Sequence, residues 1–242
     1  MHGFVDESMR RAPGGLYVLA AVLVPFSQLE ACRESARSVL LRRQRRFRWR
    51  DETEPQRRKM LAVMVEAGAV MLACACACAC ACTCACACRV PPRQQRARAL
   101  CATRLAWEAS QRGVGRLVFE GREERNDAHD RLTMMRAVKA RACPASLVYG
   151  FAWPADEPLL WLADAAAGAV AAQLAGEESG YRDQLGDVVV EVATVGPWTR
   201  TCPGSRRPAV NPGTTSGSVR QPALPSSAPG TVTSSPIDGR RT

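Results

Sequence analysis

Three observations on this 242-residue chain predict an α/β fold, a mixed sheet flanked by helices. Short apolar runs recur along it: Phe4-Val5, Leu16 to Pro25, Ala69 to Leu72, Leu117 to Phe119 and Ser146 to Ala152. Such runs mark strands buried on both faces. Stretches with helical periodicity separate most of them. Two of the runs end in an acid, Asp6 and Glu120, where a buried strand gives way to a loop.

Taken in order, Gly3 to Asp6 is expected as a first strand, with Asp6-Glu7-Ser8 emerging at its end. The turn Pro13-Gly14-Gly15 returns the chain into Leu16 to Pro25 as an antiparallel hairpin partner. Ser27 is expected to cap a helix that runs to about Arg42. Arg45 to Trp49 reads as a third strand, with Phe47 and Trp49 on one face and arginines on the other. Thr53 and Pro55 start a helix, amphipathic through Met60, Leu61, Met64 and Val65, and Gly68 ends it.

Ala69 to Leu72 opens the next strand and leads into ACACACACACTCACAC, residues 73–88. Period two places Cys74 to Cys88 on one face of a strand. Thiolates are soft ligands for zinc or copper, but zinc sites separate their cysteine pairs by a folded stretch. The tract is therefore read as a low-complexity insert, and a thiol-rich metal-binding protein is the lesser alternative. Beyond it come a helix from Gln94 to Gln111 with Leu100, Leu105 and Trp107 as apolar contacts, the strand Leu117 to Glu120, and a helix from about Ala128 to Ala140. The strand Ser146 to Ala152 follows, then a helix opened by Asp156-Glu157-Pro158. Asp187 to Val195 is expected as an edge strand. The domain is placed at 1–197. Residues 198–242, rich in Pro, Gly, Ser and Thr, are expected to be a disordered tail.

The formal net charge is +10 with a pI near 9.3, a footprint compatible with nucleic acid. Almost all of it is arginine, since Lys59 and Lys139 are the only lysines. The first residues lack a basic end followed by an apolar core. Leu16 to Val24 is too short to span a bilayer, and Ala67 to Cys88 is only weakly apolar. No membrane partner and a cytoplasmic location are expected.

The acids carry the functional signal. Gly115 to Arg131, GRLVFEGREERNDAHDR, reads as a strand ending at Glu120, a charged loop, and a helix capped by Asn126 or Asp127. Asp127 and Asp130 share a face of its first turn. Acids so placed suit a hard divalent cation. Equally, Arg122, Arg125 and Arg131 can pair with the same acids. Asp164 is the only charged side chain between Glu157 and Glu177, on a face with Leu160, Trp161, Ala167 and Gly168 that should pack on the sheet. A buried carboxylate there calls for an arginine, a proton, or a metal shared with other acids. Asp6, Glu120 and Asp164 thus offer one carboxylate each from three distant elements. Two divalent ions would offset their repulsion and clamp a scissile phosphate. The element order is also that of the ribonuclease H-like fold.

The pieces FVDES, RFRWRDE, ARALCATRLAWE, RLVFEGREERNDAHD and DEPLLWLADAAAGAVAA resemble the bacterial family called domain of unknown function 3800. The resemblance covers roughly residues 2 to 195 apart from the Ala-Cys tract, and Met9 stands where that family commonly has glycine. It implies a ribonuclease H-like fold with Asp6, Glu120 and Asp164 as metal ligands and Asp130 or Asp127 supporting them. The expectation is a Mg²⁺- or Mn²⁺-dependent nuclease in which Asp6 bridges the ions. Arg48, Arg50, Arg122 and Arg125 are expected to contact phosphates, with Glu7 and Asp51 as lesser candidates. The alternative is a nucleic-acid-binding module of the same fold without turnover.

Overall fold

The computed structural model describes residues 1–10, 16–77, 91–177 and 180–193. All lie in one compact unit, Met1–Ser205. The Pro13-Gly14-Gly15 turn, most of the Ala-Cys tract and the segment expected as a disordered tail lie outside the described residues.

Six strands form one mixed sheet in the order β5-β4-β1-β2-β3-β6. They are β1 (His2–Arg10), β2 (Leu16–Val24), β3 (Val70–Ala77), β4 (Arg116–Glu120), β5 (Val148–Ala152) and β6 (Val189–Ala193). β1, β2 and β3 pair antiparallel, β4 runs parallel to β1, β5 parallel to β4, and β6 parallel to β3. The carboxyl ends of β1, β4 and β5 therefore share one edge of the sheet.

The first strand is longer than its apolar core. β1 continues through Asp6, Glu7 and Ser8 to Arg10, because β2 offers a partner for all nine of its residues. The break expected at Asp6 is instead a change of neighbour: pairing with β4 stops at Val5 opposite Phe119, one residue short of Asp6 and Glu120. A polar side chain is tolerated in mid-strand where one flank of the sheet opens.

One face of the sheet is covered by α5 (Leu159–Leu174), around which α1 (Leu29–Ser38) and α2 (Glu54–Glu66) pack. Every residue of α5 from Leu159 to Ala172 except Asp164 is buried. The other face is covered by α3 (Pro91–Gln111), with α4 (Glu124–Lys139) beside it. Alternation along β1 divides its side chains accordingly. Phe4 belongs to the α5 side and Val5 to the α3 side.

Several sequence expectations shift. Arg45 to Trp49 forms no strand; it is irregular and ends in a short 3₁₀ turn at Trp49–Asp51. Phe47 and Trp49 are nonetheless buried, sealing the α5 side, while β3 takes the sheet position beside β2. Ser27 makes no side-chain cap, since a 3₁₀ turn at Phe26–Gln28 precedes α1, which stops at Ser38. On α2, Val63 is buried in place of Val65. On α3, Leu105 is buried as expected, while Leu100 is only partly covered and Trp107 is exposed. α4 begins at Glu124, about a turn earlier than expected, so Asp127 lies in its first turn rather than before it.

The period-two reading of the cysteine tract holds as far as it is described. Ala73 to Ala77 belong to β3, with Cys74 and Cys76 on the α3 side and Ala73 and Ala75 on the α5 side. Cys74 is fully buried and lies in the same core as Cys101 of α3. Cys74 to Ala77 therefore supply sheet and core in the part described. No helix among the described residues is long and apolar enough to cross a membrane.

Candidate functional site

Asp6 and Glu120 occupy the position where β1 and β4 part, on the face that α5 covers. Asp6 is 7% exposed and accepts the N–H of Glu7 at 2.7 Å. Burial pushes the Asp6 carboxyl well above the usual carboxylate range, reinforced by the neighbouring Glu120 carboxyl and by the charge of Asp164.

Asp164 reaches the same place from the middle of α5. Burial raises its pKa, the Trp49 N–H opposes that rise, the Glu120 charge adds to it, and Arg50 and Arg48 oppose it; the net result is about 6. The three acids thus form one electrostatic cluster from β1, β4 and α5. Among the described residues, no group of three or more His, Cys, Asp or Glu side chains is placed to hold a metal ion. Two of the cluster's carboxylates, Asp6 and Asp164, each accept a backbone amide, from Glu7 and Trp49.

The group observed against Asp164 is a backbone amide, one the sequence did not foretell. Its Oδ2 accepts the backbone N–H of Trp49 at 2.7 Å. Trp49 is itself wedged in place. Its ring lies so close to Gly168 that a Cβ there would fall 2.3 Å from the indole Cγ. Tyr181 meets it edge-on at 4.8 Å, and the Arg57 guanidinium lies over it at 5.0 Å while Nε donates to the Trp49 carbonyl at 2.8 Å. The segment expected as a strand therefore serves as a clamp for the helical acid. Sequence reading missed this role because a backbone donor leaves no side-chain signature; Gly168, one turn from Asp164, was the available hint.

The supporting acids lie on the opposite face. Asp130 is 5% exposed, accepts Arg98 Nε at 3.0 and 2.9 Å and Arg122 Nη2 at 3.0 Å, and lies 2.8 Å from Arg98 Nη2 as an ion pair. Arg98 also pairs with Glu7, whose Oε2 accepts the Tyr17 hydroxyl at 2.6 Å. Burial alone would raise the Glu7 pKa, but Arg98, Arg122 and the Tyr17 hydroxyl hold it below the ordinary value. Asp127 accepts the Arg122 N–H at 3.0 Å, closing the loop after Glu120. Asp127 and Asp130 thus share a buried face as expected, and arginine pairing accounts for Asp130. Arg98 sits between alanines in sequence and gave no sign of this role.

The arginines divide as well. Arg122 is half-buried in the Glu7–Asp130 network. Arg48 and Arg50 are largely exposed, each with only a 3.8 Å contact to Asp51, and they flank Asp164 electrostatically. Arg125 is exposed in the first turn of α4.

Comparison with protein-family models, with curated proteins and with solved structures returned no match for this chain.

Proposed function

We propose that this protein is a divalent-metal-dependent nuclease that hydrolyses phosphodiester bonds in nucleic acid. The observation that carries the reading is the convergence of Asp6, Glu120 and Asp164 from β1, β4 and α5. A fold that places three acids together pays in repulsion and burial unless a cation or proton offsets them. The resemblance to the domain of unknown function 3800 family supports the same assignment. So does the strand order, which follows the ribonuclease H-like arrangement with β6 added at one edge.

The donors are of the kind that Mg²⁺ or Mn²⁺ takes, hard carboxylate oxygens, and the mutual repulsion that helps raise the Asp6 and Asp164 carboxyls is what a cation would relieve. Asp6, Glu120 and Asp164 would hold the ion or ions. Bound there, the metal would supply hydroxide from water at neutral pH and offset charge on the leaving oxygen. The chain's own contributions are distinct. The Trp49 N–H fixes the Asp164 carboxylate, the Glu7 N–H fixes Asp6, and Arg48, Arg50 and Arg125 offer exposed cations for the phosphate backbone.

The test is cleavage of end-labelled single-stranded and duplex oligonucleotides with Mn²⁺, Mg²⁺ or EDTA. Wild type should cleave only with metal, and Glu120→Gln should lose cleavage by orders of magnitude while its melting temperature holds in EDTA. Cleavage that survives Glu120→Gln overturns the reading. Binding by the wild type without metal-dependent turnover would favour the non-catalytic nucleic-acid-binding module.

A further inference from the structure

We propose that Trp153 is a base-stacking platform beside the acid cluster, and that the substrate it receives is single-stranded nucleic acid. This rests on the nuclease reading for its context but not for its test. Trp153 follows directly on β5 and is 58% exposed. β5 is parallel to β4, with Ala152 opposite Glu120, so Trp153 emerges at the same sheet edge as the acids.

The contact is close. A Cβ built on Gly121, the residue after Glu120, would meet the Ala152 carbonyl at 3.2 Å and Trp153 Cδ2 at 3.8 Å. The Gly121 N–H donates to that carbonyl at 2.7 Å. The indole therefore stands within contact of the loop that leaves Glu120, and a side chain at 121 would touch it while pressing tightly on the Ala152 carbonyl.

Its mount is rigid. The Trp153 carbonyl accepts the N–H groups of Asp156 at 2.9 Å and Glu157 at 3.0 Å. The next residue, Pro154, is buried, and its carbonyl accepts Trp161 Nε1 at 2.6 Å from within the core. Glu157 is tied in turn to Arg33 by two bonds, at 2.9 and 2.6 Å. An exposed indole on a turn fixed at so many points loses little conformational freedom when something docks on it, which is what makes a preorganised contact favourable.

The surroundings choose the partner. Arg48 and Arg50 supply exposed positive charge around Asp164, and Trp153 supplies an aromatic surface beside Gly121, the residue after Glu120. Cations for the backbone and an aromatic surface for a base make up the usual pattern for single strands. A base in a duplex is stacked on its neighbours and offers no free face to the indole. The preference should therefore be for unpaired nucleotides.

The experiment uses the full chain in Ca²⁺ buffer and in EDTA, with a fluorescein-labelled oligo(dT) strand and a labelled blunt hairpin duplex as probes. Trp153→Ala should weaken binding to the single strand by about tenfold or more, as loss of one stacked base implies. Trp153→Phe should recover most of it, and duplex binding should change little. Trp153 fluorescence, isolated by difference from Trp153→Phe, should be quenched as the strand is added. Unchanged single-strand affinity in Trp153→Ala overturns the proposal, as does an equal loss on both probes or no binding by wild type. A Mn²⁺ cleavage assay separates the two readings. Trp153-dependent binding without cleavage would sink the nuclease and keep the platform, and undiminished cleavage with an unchanged KM in Trp153→Ala would do the reverse.

Discussion

The carboxylate of Asp164 is held by the backbone N–H of Trp49 at 2.7 Å, and no arginine forms an ion pair with it among the described residues. Asp164→Asn keeps an oxygen to accept that N–H and removes a charge whose pKa is pushed up from 3.8 to about 6. A shift of that size corresponds to roughly 3 kcal/mol of strain in the ionised form. Without added metal ion, Asp164→Asn should therefore be more stable than wild type at pH 8, by up to about 3 kcal/mol, with the gain vanishing near pH 4. Urea unfolding at the two pH values measures it. Asp164→Leu, which cannot accept the amide, should lose about 1–3 kcal/mol of that benefit. Strong destabilisation of Asp164→Asn at pH 8 would mean that the carboxylate is neutralising a buried cation.

The pH dependence of the wild type follows from the same groups. Asp6 and Asp164 have folded pKa values above their unfolded ones, so the native state binds protons that the unfolded chain has released. Their contribution is complete below about pH 4 and is lost as pH rises through about 6 and beyond. Glu7 is shifted the other way, and its contribution is lost as pH falls below its ordinary value of 4.5. In EDTA, stability should peak on the acid side, between about pH 4 and 5, and decline towards neutrality. Melting temperature against pH checks this, and a profile that rises steadily from pH 5 to 8 would contradict the raised carboxyls of Asp6 and Asp164.

Gly168→Ala tests the clamp from its other side. The added methyl would fall 2.3 to 2.5 Å from three atoms of the Trp49 indole, so Trp49 or α5 must shift. Overpacking of this kind costs about 1–3 kcal/mol or more. Displacing Trp49 also moves the N–H that fixes Asp164, so any stabilisation by Mn²⁺ should shrink along with stability in EDTA. Gly176→Ala serves as a control for glycine loss, with nothing near its Cβ; its positive φ of 76° makes a small cost of its own. A Gly168→Ala protein with an unaltered Mn²⁺ response would separate Trp49 from the acid cluster.

How much of this was legible in the sequence depends on what kind of bond does the work. Strand positions followed from apolar runs: those opening at Leu16, Ala69, Leu117 and Ser146 hold β2, β3, β4 and β5, which begin at Leu16, Val70, Arg116 and Val148. The grouping of Asp6, Glu120 and Asp164 was legible because acids interrupt those apolar patterns. Arg45 to Trp49 misled because alternation of aromatic and arginine residues suits a strand and a buried loop equally well, and the choice was made by Gly168, over a hundred residues away. Asp130 pairs with Arg122, which was legible, and with Arg98, which was not. Its sequence neighbours Arg122, Arg125 and Arg131 were visible, but Arg98 comes from a different helix, and no local pattern announces a pairing across 32 residues.

Asp130→Asn is the variant that decides whether the second acidic face belongs to the site. Asp130 and Glu7 together balance Arg98 and Arg122, all four buried or half-buried between β1, α3 and α4. Removing one carboxylate strands a guanidinium that is 3% exposed, and breaking a buried pair in this way costs about 3–5 kcal/mol. The loss should be the same in EDTA and in Mn²⁺, because the network lies on the α3 side of the sheet and the acid cluster on the α5 side. Arg98→Met paired with Asp130→Leu should recover part of it, since replacing both partners with apolar groups removes two desolvated charges together. Chemical denaturation of the single and double variants, each with and without Mn²⁺, gives the answer. A Mn²⁺-dependent stabilisation that disappears in Asp130→Asn but persists in Arg98→Met would return Asp130 to the list of metal ligands and remove it from the ion-pair network.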